Sequence, residues 1–123
     1  MGSILVVDDS PLLQAMFRNL LGSVPGTSVS FAKHGLEALE QIEKDGEPGL
    51  ILLDINMPVM DGLEFLDELS RRGMRERVPV VIVSTEDKEA DILRGLEAGA
   101  KGYLRKPFTP TELRSIIQRV VGW

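Results

Sequence analysis

Residues 51–62, ILLDINMPVMDG, carry an apolar run into an aspartate, Asp54, and follow it with Pro58 and Asp61-Gly62. Consecutive Leu and Ile without polar alternation read as a strand buried on both faces, as in a parallel sheet, and Pro58 with Asp61-Gly62 reads as the turn that leaves it. A charge at the end of a buried strand is costly unless the strand opens onto something that uses it. The same pattern recurs along the chain. Apolar runs of strand length lie at residues 4–7, 29–31, 50–53 and 80–83, with a shorter one at 102–104.

Helical patterns separate these runs. Leu12, Leu13, Met16, Leu20 and Leu21 share a face behind Ser10-Pro11, an N-cap followed by a proline at the first helical position. Leu36, Leu39 and Ile42 mark a second helix, Leu63, Leu66 and Leu69 a third, and Ile92, Leu93 and Leu96 a fourth. Leu113, Ile116, Ile117 and Val120 mark the last, which Thr109-Pro110-Thr111-Glu112 opens. Five alternations of strand and helix predict an α/β fold, a doubly wound five-stranded parallel sheet covered by five helices. The 123 residues are expected to form one domain spanning 1–123.

Composition narrows the function. The absence of cysteine removes disulfides, thiolate catalysis and cysteine-bound zinc, and the single histidine, His34, cannot build a histidine metal site. Any metal must be held by oxygen. A net charge of −5 without a dense basic cluster argues against nucleic acid as a direct ligand. With neither a run of 18 apolar residues nor a signal peptide, the expectation is a cytoplasmic protein with no membrane association.

In doubly wound sheets ligands bind beyond the carboxyl ends of the strands. The residues there are Asp8-Asp9, Asp54, Ser84-Thr85 and Lys106-Pro107, while the second strand offers only Ala32-Lys33-His34, as suits a strand away from the site. If the first and third strands are neighbours, Asp8, Asp9 and Asp54 converge and repel one another. A hard divalent cation and the Lys106 ammonium are the available counter-charges. Mg²⁺ fits best, because it is satisfied by one or two carboxylates, water and phosphate oxygens. That indicates phosphoryl chemistry. Asp54 is the natural nucleophile, Asp9 a direct metal ligand, and Asp8 a ligand through water or a partner of Lys106. Lys106 and the Ser84 hydroxyl would stabilise charge on the phosphoryl oxygens, and the Asn56 backbone carbonyl would complete the metal shell.

Each of these signals also has an ordinary explanation. Asp8-Asp9-Ser10-Pro11 suits a capped helix start, Asp54 the opening of a turn, and Ser84-Thr85 another cap. Lys106 suits an exposed loop, Tyr103 packing at an edge strand, and Asn56 and Glu86 solvated loop positions. His34 reads as a surface or capping residue, and Trp123 as terminal packing or a frayed end. What favours a site is coincidence, because four signals fall at the ends of four different strands where one pocket would form.

The segments VVDDS, LLDINMPVMDG, VIVST and GYLRKPF, in this order and spacing, closely resemble the receiver domains of two-component response regulators, over essentially the whole chain. The resemblance implies a flavodoxin-like sheet of order 2-1-3-4-5, with Asp54 as phospho-acceptor and Asp8 and Asp9 as the acidic metal pair for Mg²⁺. It further implies Ser84 as switch hydroxyl, Tyr103 as switch aromatic, and a cis bond between Lys106 and Pro107. Asn56 and Glu86 occupy the positions that tune phosphoryl lifetime, in a combination similar to the chemotaxis type, which implies fast self-dephosphorylation. Thr85 is bulkier than the alanine common there, a departure that would restrict access to Asp54.

The implied function is a stand-alone phosphorylation switch rather than a classical enzyme, charged by a histidine kinase or histidine phosphotransfer protein, with chemotaxis as the expected output. The downstream protein would dock on the fourth helix, fifth strand and fifth helix, over residues 91–101 and 109–119. A monomer is expected, with dimerisation on activation if the chain is the receiver part of a transcription factor. A Mg²⁺-dependent aspartyl-phosphate phosphohydrolase needs a second Asp two positions after the nucleophile, where this chain has Asn56. A phosphorylation-independent binding module leaves the acidic set and Lys106 without a use.

Overall fold

The computed structural model describes residues 2–22, 26–85 and 89–123. Strands β1 (Ser3–Val7), β2 (Ser28–Ala32), β3 (Leu50–Leu53), β4 (Val80–Ser84) and β5 (Gly102–Arg105) alternate with helices. These are α1 (Pro11–Gly22), α2 (Gly35–Asp45), α3 (Gly62–Arg71), α4 (Glu89–Glu97) and α5 (Pro110–Val121). The strands form one parallel sheet of order β2-β1-β3-β4-β5, as expected.

Two cores flank the sheet, because successive strand residues point to opposite faces. Leu5, Val7, Ile51, Leu53, Val80 and Ile82 meet Ala38, Leu39 and Ile42 of α2 and Phe65, Leu66 and Leu69 of α3. Ile4, Val6, Leu50, Leu52, Val81 and Val83 meet Phe17 and Leu21 of α1 and Leu113, Ile116 and Ile117 of α5. The unbroken Val/Ile/Leu runs are therefore what a sheet covered on both sides requires. At the opposite end from the strand termini the Trp123 ring packs against the second core, so close to Gly2 and Gly49 that a Cβ on either would meet it at 2.7–2.8 Å. Trp123 is terminal packing.

Some helix faces differ from the expected ones. In α1 the inward positions are Phe17 and Leu21, with Leu13 and Leu20 packed beside them, whereas Leu12 and Met16 face outward. Leu36, Leu93 and Leu96 are likewise exposed. α4 meets the sheet through Gly95, where any side chain would collide with Ile82. The expected turn at Asp61-Gly62 is instead the start of α3. Asp61 is the N-cap in a capping box with Glu64, and Gly62 begins the helix, its N–H donating to the Ile55 carbonyl at 2.9 Å. Gly62 is required by close approach, since a Cβ would lie 2.7 Å from the Asp54 carbonyl oxygen and 2.8 Å from the Ile55 Cα.

Candidate phosphoryl-transfer site

The sheet ladder continues one step past the strands and so fixes the first atoms of the site. The Asp8 N–H donates to the Ala32 carbonyl at 3.0 Å, the Asp54 N–H to Val7 at 2.9 Å, and the Lys106 N–H to Ser84 at 2.9 Å. Because β1 lies beside β3, the two acidic segments emerge together. One carboxylate oxygen from each of Asp8, Asp9 and Asp54 lies within 4.8 Å of the others. Asp8 is 2% exposed and Asp54 8%, while Asp9 stands at the exposed rim and makes no hydrogen bond or ion pair among the described residues.

Lys106 enters from the far side of the sheet. Its loop is held by a cis Lys106-Pro107 bond, by Phe108 stacked on Phe17 with ring centroids 5.4 Å apart, and by the Thr109 capping box that starts α5. Nζ lies 2.9 Å from Asp8 Oδ2 and 3.6 Å from Asp54 Oδ2. The tighter contact is to Asp8, which anchors the ammonium and leaves it within reach of the Asp54 side. Asp8 Oδ1 accepts from the Ser10 N–H at 2.8 Å, and Ser10 Oγ in turn accepts from the Leu13 N–H at 3.3 Å. Ser10 therefore caps α1 as expected and also fixes Asp8.

Burial pushes the Asp54 carboxyl above its ordinary value, and repulsion from Asp8 and Asp9 adds to the shift. Lys106 and the Asn56 N–H, 3.2 Å from Oδ1, oppose it. An oxygen-only pocket with too little positive charge is one that a small divalent cation completes.

Ser84 is fully buried at the end of β4. Tyr103, half-buried on β5, packs against the first core and donates its hydroxyl to the Ser84 carbonyl at 3.3 Å, so the ring is already tied to the expected switch residue. Asn56 and Thr85 lie exposed at the rim, whereas Glu86 falls outside the described residues. His34 is the N-cap of α2, its Nδ1 accepting from the Glu37 N–H at 3.2 Å, which agrees with the capping role read from its position.

The sequence reading missed Gln14. Its Nε2 donates to the Asp8 carbonyl at 2.7 Å. A glutamine in the first turn of a helix carries no pattern that would single it out. Nor did it anticipate Val59, which has φ 66° between Pro58 and Met60, with the Met60 N–H donating to the Pro58 carbonyl at 2.7 Å across a tight three-residue turn.

The response regulator receiver domain model matches residues 4–118. Chemotaxis protein CheY1 of Helicobacter pylori is 32% identical over 119 residues, covering 97% of this chain and 96% of that protein. Among solved structures, chemotaxis protein CheY4 of Vibrio cholerae superposes with a TM-score of 0.88 at 35% identity over 98% of both chains. The receiver domain of a Pseudomonas aeruginosa sensor histidine kinase, with a magnesium ion coordinated in its active-site cleft, superposes at 0.87 with 32% identity, covering 99% of this chain and 98% of that one. Among the described residues no helix is long and apolar enough to cross a membrane.

Proposed function

The chain belongs to the response regulator receiver domain family, and from that premise we propose that Asp54 takes a phosphoryl group from the phosphohistidine of a sensor kinase or phosphotransfer protein. It is a phospho-acceptor signalling switch rather than a classical enzyme. The observation that carries the proposal is the convergence of Asp8, Asp9 and Asp54 with the Lys106 ammonium at the ends of three strands.

In the transfer a carboxylate oxygen of Asp54 bonds to phosphorus as the P–N bond to imidazole breaks. The electron pair leaves with the imidazole, which then takes a proton from water. Asp9 and Asp54, with the Asn56 carbonyl and with Asp8 directly or through water, would hold Mg²⁺, which supplies charge neutralisation at the phosphoryl oxygens. The fit rests on an all-oxygen donor set within 4.8 Å and on Asp9 being unengaged. Lys106, anchored by Asp8, pairs with one phosphoryl oxygen, and the Ser84 hydroxyl turns to another.

Drawing the Ser84 hydroxyl toward the phosphoryl group opens space, and Tyr103, whose hydroxyl donates to the Ser84 carbonyl, moves inward, so that the surface of α4, β5 and α5 changes shape. That surface docks the downstream protein. Asn56, Thr85 and Glu86 tune the lifetime of the acyl phosphate. The chain works as a single domain in the cytoplasm, with a chemotaxis output as the reading nearest to its relatives. A protein donor meets two apolar side chains at the rim, Leu12 at 79% exposure after β1 and Val59 at 72% after β3, and seats on them.

Intact mass after incubation with acetyl phosphate and Mg²⁺ tests the proposal. One added phosphoryl group is expected, lost in Asp54→Ala and without Mg²⁺. A protein that neither gains the adduct nor binds beryllofluoride would sink it.

A further inference from the structure

Four polar groups of Asp8 are engaged from four directions. Its N–H donates to Ala32, its Oδ1 accepts from the Ser10 N–H, its Oδ2 meets Lys106, and its carbonyl accepts from the Gln14 side chain. The first three belong to the ladder, the helix cap and the ion pair already described. The fourth has a different consequence. The Asp8 carbonyl and the Asp9 N–H share one peptide plane, so whatever orients that carbonyl also sets the direction in which Asp9 leaves the chain.

Asp9 has no protein partner of its own among the described residues, so no side-chain contact places its carboxylate and its backbone sets where the side chain starts. Gln14 is well placed to control that backbone. Its own N–H donates to the Ser10 carbonyl at 3.0 Å, which makes it part of the first turn of α1, and from there its half-buried side chain reaches back 2.7 Å to the Asp8 carbonyl. The helix and the acidic segment are thus tied at the peptide that carries Asp9.

We infer that Gln14 is a positioning residue for the metal site, holding the Asp8–Asp9 peptide so that the Asp9 carboxylate faces those of Asp8 and Asp54. The inference rests on the proposed Mg²⁺ reading of the acidic cluster. Groups that orient metal ligands typically change affinity by 10–100-fold when removed.

The chain carries an internal control. Gln41 makes the same kind of bond, from Nε2 to the Phe31 carbonyl at 2.5 Å, on the edge strand β2 rather than on the acidic segment. The experiment is calorimetric titration of the whole chain with MgCl₂ in the wild type, Gln14→Met and Gln41→Met. Methionine keeps length and helix propensity and removes the donor. Gln14→Met is expected to raise the Mg²⁺ Kd about tenfold, while Gln41→Met leaves it unchanged at a comparable loss of thermal stability.

An unchanged Kd in Gln14→Met, or equal weakening in both variants, overturns the inference and leaves the metal reading standing. No Mg²⁺ binding by the wild type overturns both. A second measurement needs no variant. The wild-type Gln14 side-chain amide should exchange slowly and shift on Mg²⁺ addition by NMR, and a solvent-averaged signal insensitive to Mg²⁺ overturns the inference.

Discussion

At Asp54 the native state holds a carboxylate that burial and two neighbouring acids push toward its protonated form. An acid whose native pKa lies above its unfolded value favours folding below the unfolded value, and that contribution is lost as pH rises through the native one. At neutral pH and without metal, ionised Asp54 therefore opposes folding. Asp54→Asn should stabilise the protein at pH 7, with the gain shrinking as the pH falls into the carboxylate range. Urea unfolding in EDTA across that range checks it, and a gain independent of pH would contradict it. Val59 carries a second cost. A β-branched side chain at φ 66° sits where only glycine is at ease, so Val59→Gly should raise stability by about 1 kcal/mol after the loss of unfolded-state restriction is subtracted. Thermal unfolding of the variant measures this, and a lower melting temperature would show that the turn is not strained. Neither feature was legible beforehand. The sequence shows that Asp54 is acidic and Val59 apolar, but a pKa shift needs burial and a strained φ needs the closed turn.

Among the elements, α3 presses its first residue against the segment that carries Asp54. A Cβ at Gly62 would press on the Asp54 carbonyl oxygen and the Ile55 Cα, which are backbone atoms and cannot swing aside. Gly62→Ala should therefore cost about 2–3 kcal/mol and slow labelling by acetyl phosphate, because relief requires moving the end of β3. Gly95→Ala meets only the tip of the Ile82 side chain, which can change rotamer, so it should cost less and leave labelling unaltered. Chemical denaturation and labelling rates on the two variants separate the cases, and equal losses would show that backbone contact is not the distinction. The elements themselves were legible because a doubly covered parallel sheet forces unbroken Val/Ile/Leu runs, and Ser10-Pro11 and Thr109-Pro110 punctuate the helices. Helix rotation was less so. Leu12 and Met16 fit the period of Leu13 and Leu20, yet Phe17 takes the inward position, and α4 turns on Gly95, a residue with no hydrophobic signature. The Asp61-Gly62 pair reads as a turn by composition, whereas its structural role is a cap and a close approach.

The parallel sheet brings the candidate residues Asp8, Asp9, Asp54, Ser84 and Lys106 to one end of the molecule. Asp8, Asp9, Asp54, Ser84 and Lys106 were legible together because each follows or ends a strand, and a parallel sheet brings strand ends to one rim. Gln14 was not, because it acts from within a helix. For the proposed protein donor the same topology sets a requirement, because its phosphohistidine would have to be held against a residue only 8% exposed. Leu12 and Val59 are the most exposed of the large apolar side chains among the described residues, and both follow strands that end in the acidic pocket. An apolar side chain left in water beside a reaction centre gains free energy once a partner covers it, about 25 cal/mol per Å² removed from water. Acetyl phosphate has no such surface and gains nothing from the rim. Leu12→Ser combined with Val59→Gly should therefore slow transfer from the histidine kinase that labels the wild type fastest by roughly 10-fold, about 1.4 kcal/mol, while leaving the rate with acetyl phosphate within twofold. Parallel time courses with the two donors decide the matter. Equal slowing with both would place the effect in the acidic pocket itself, and no slowing with the kinase would show that the donor approaches without touching either side chain.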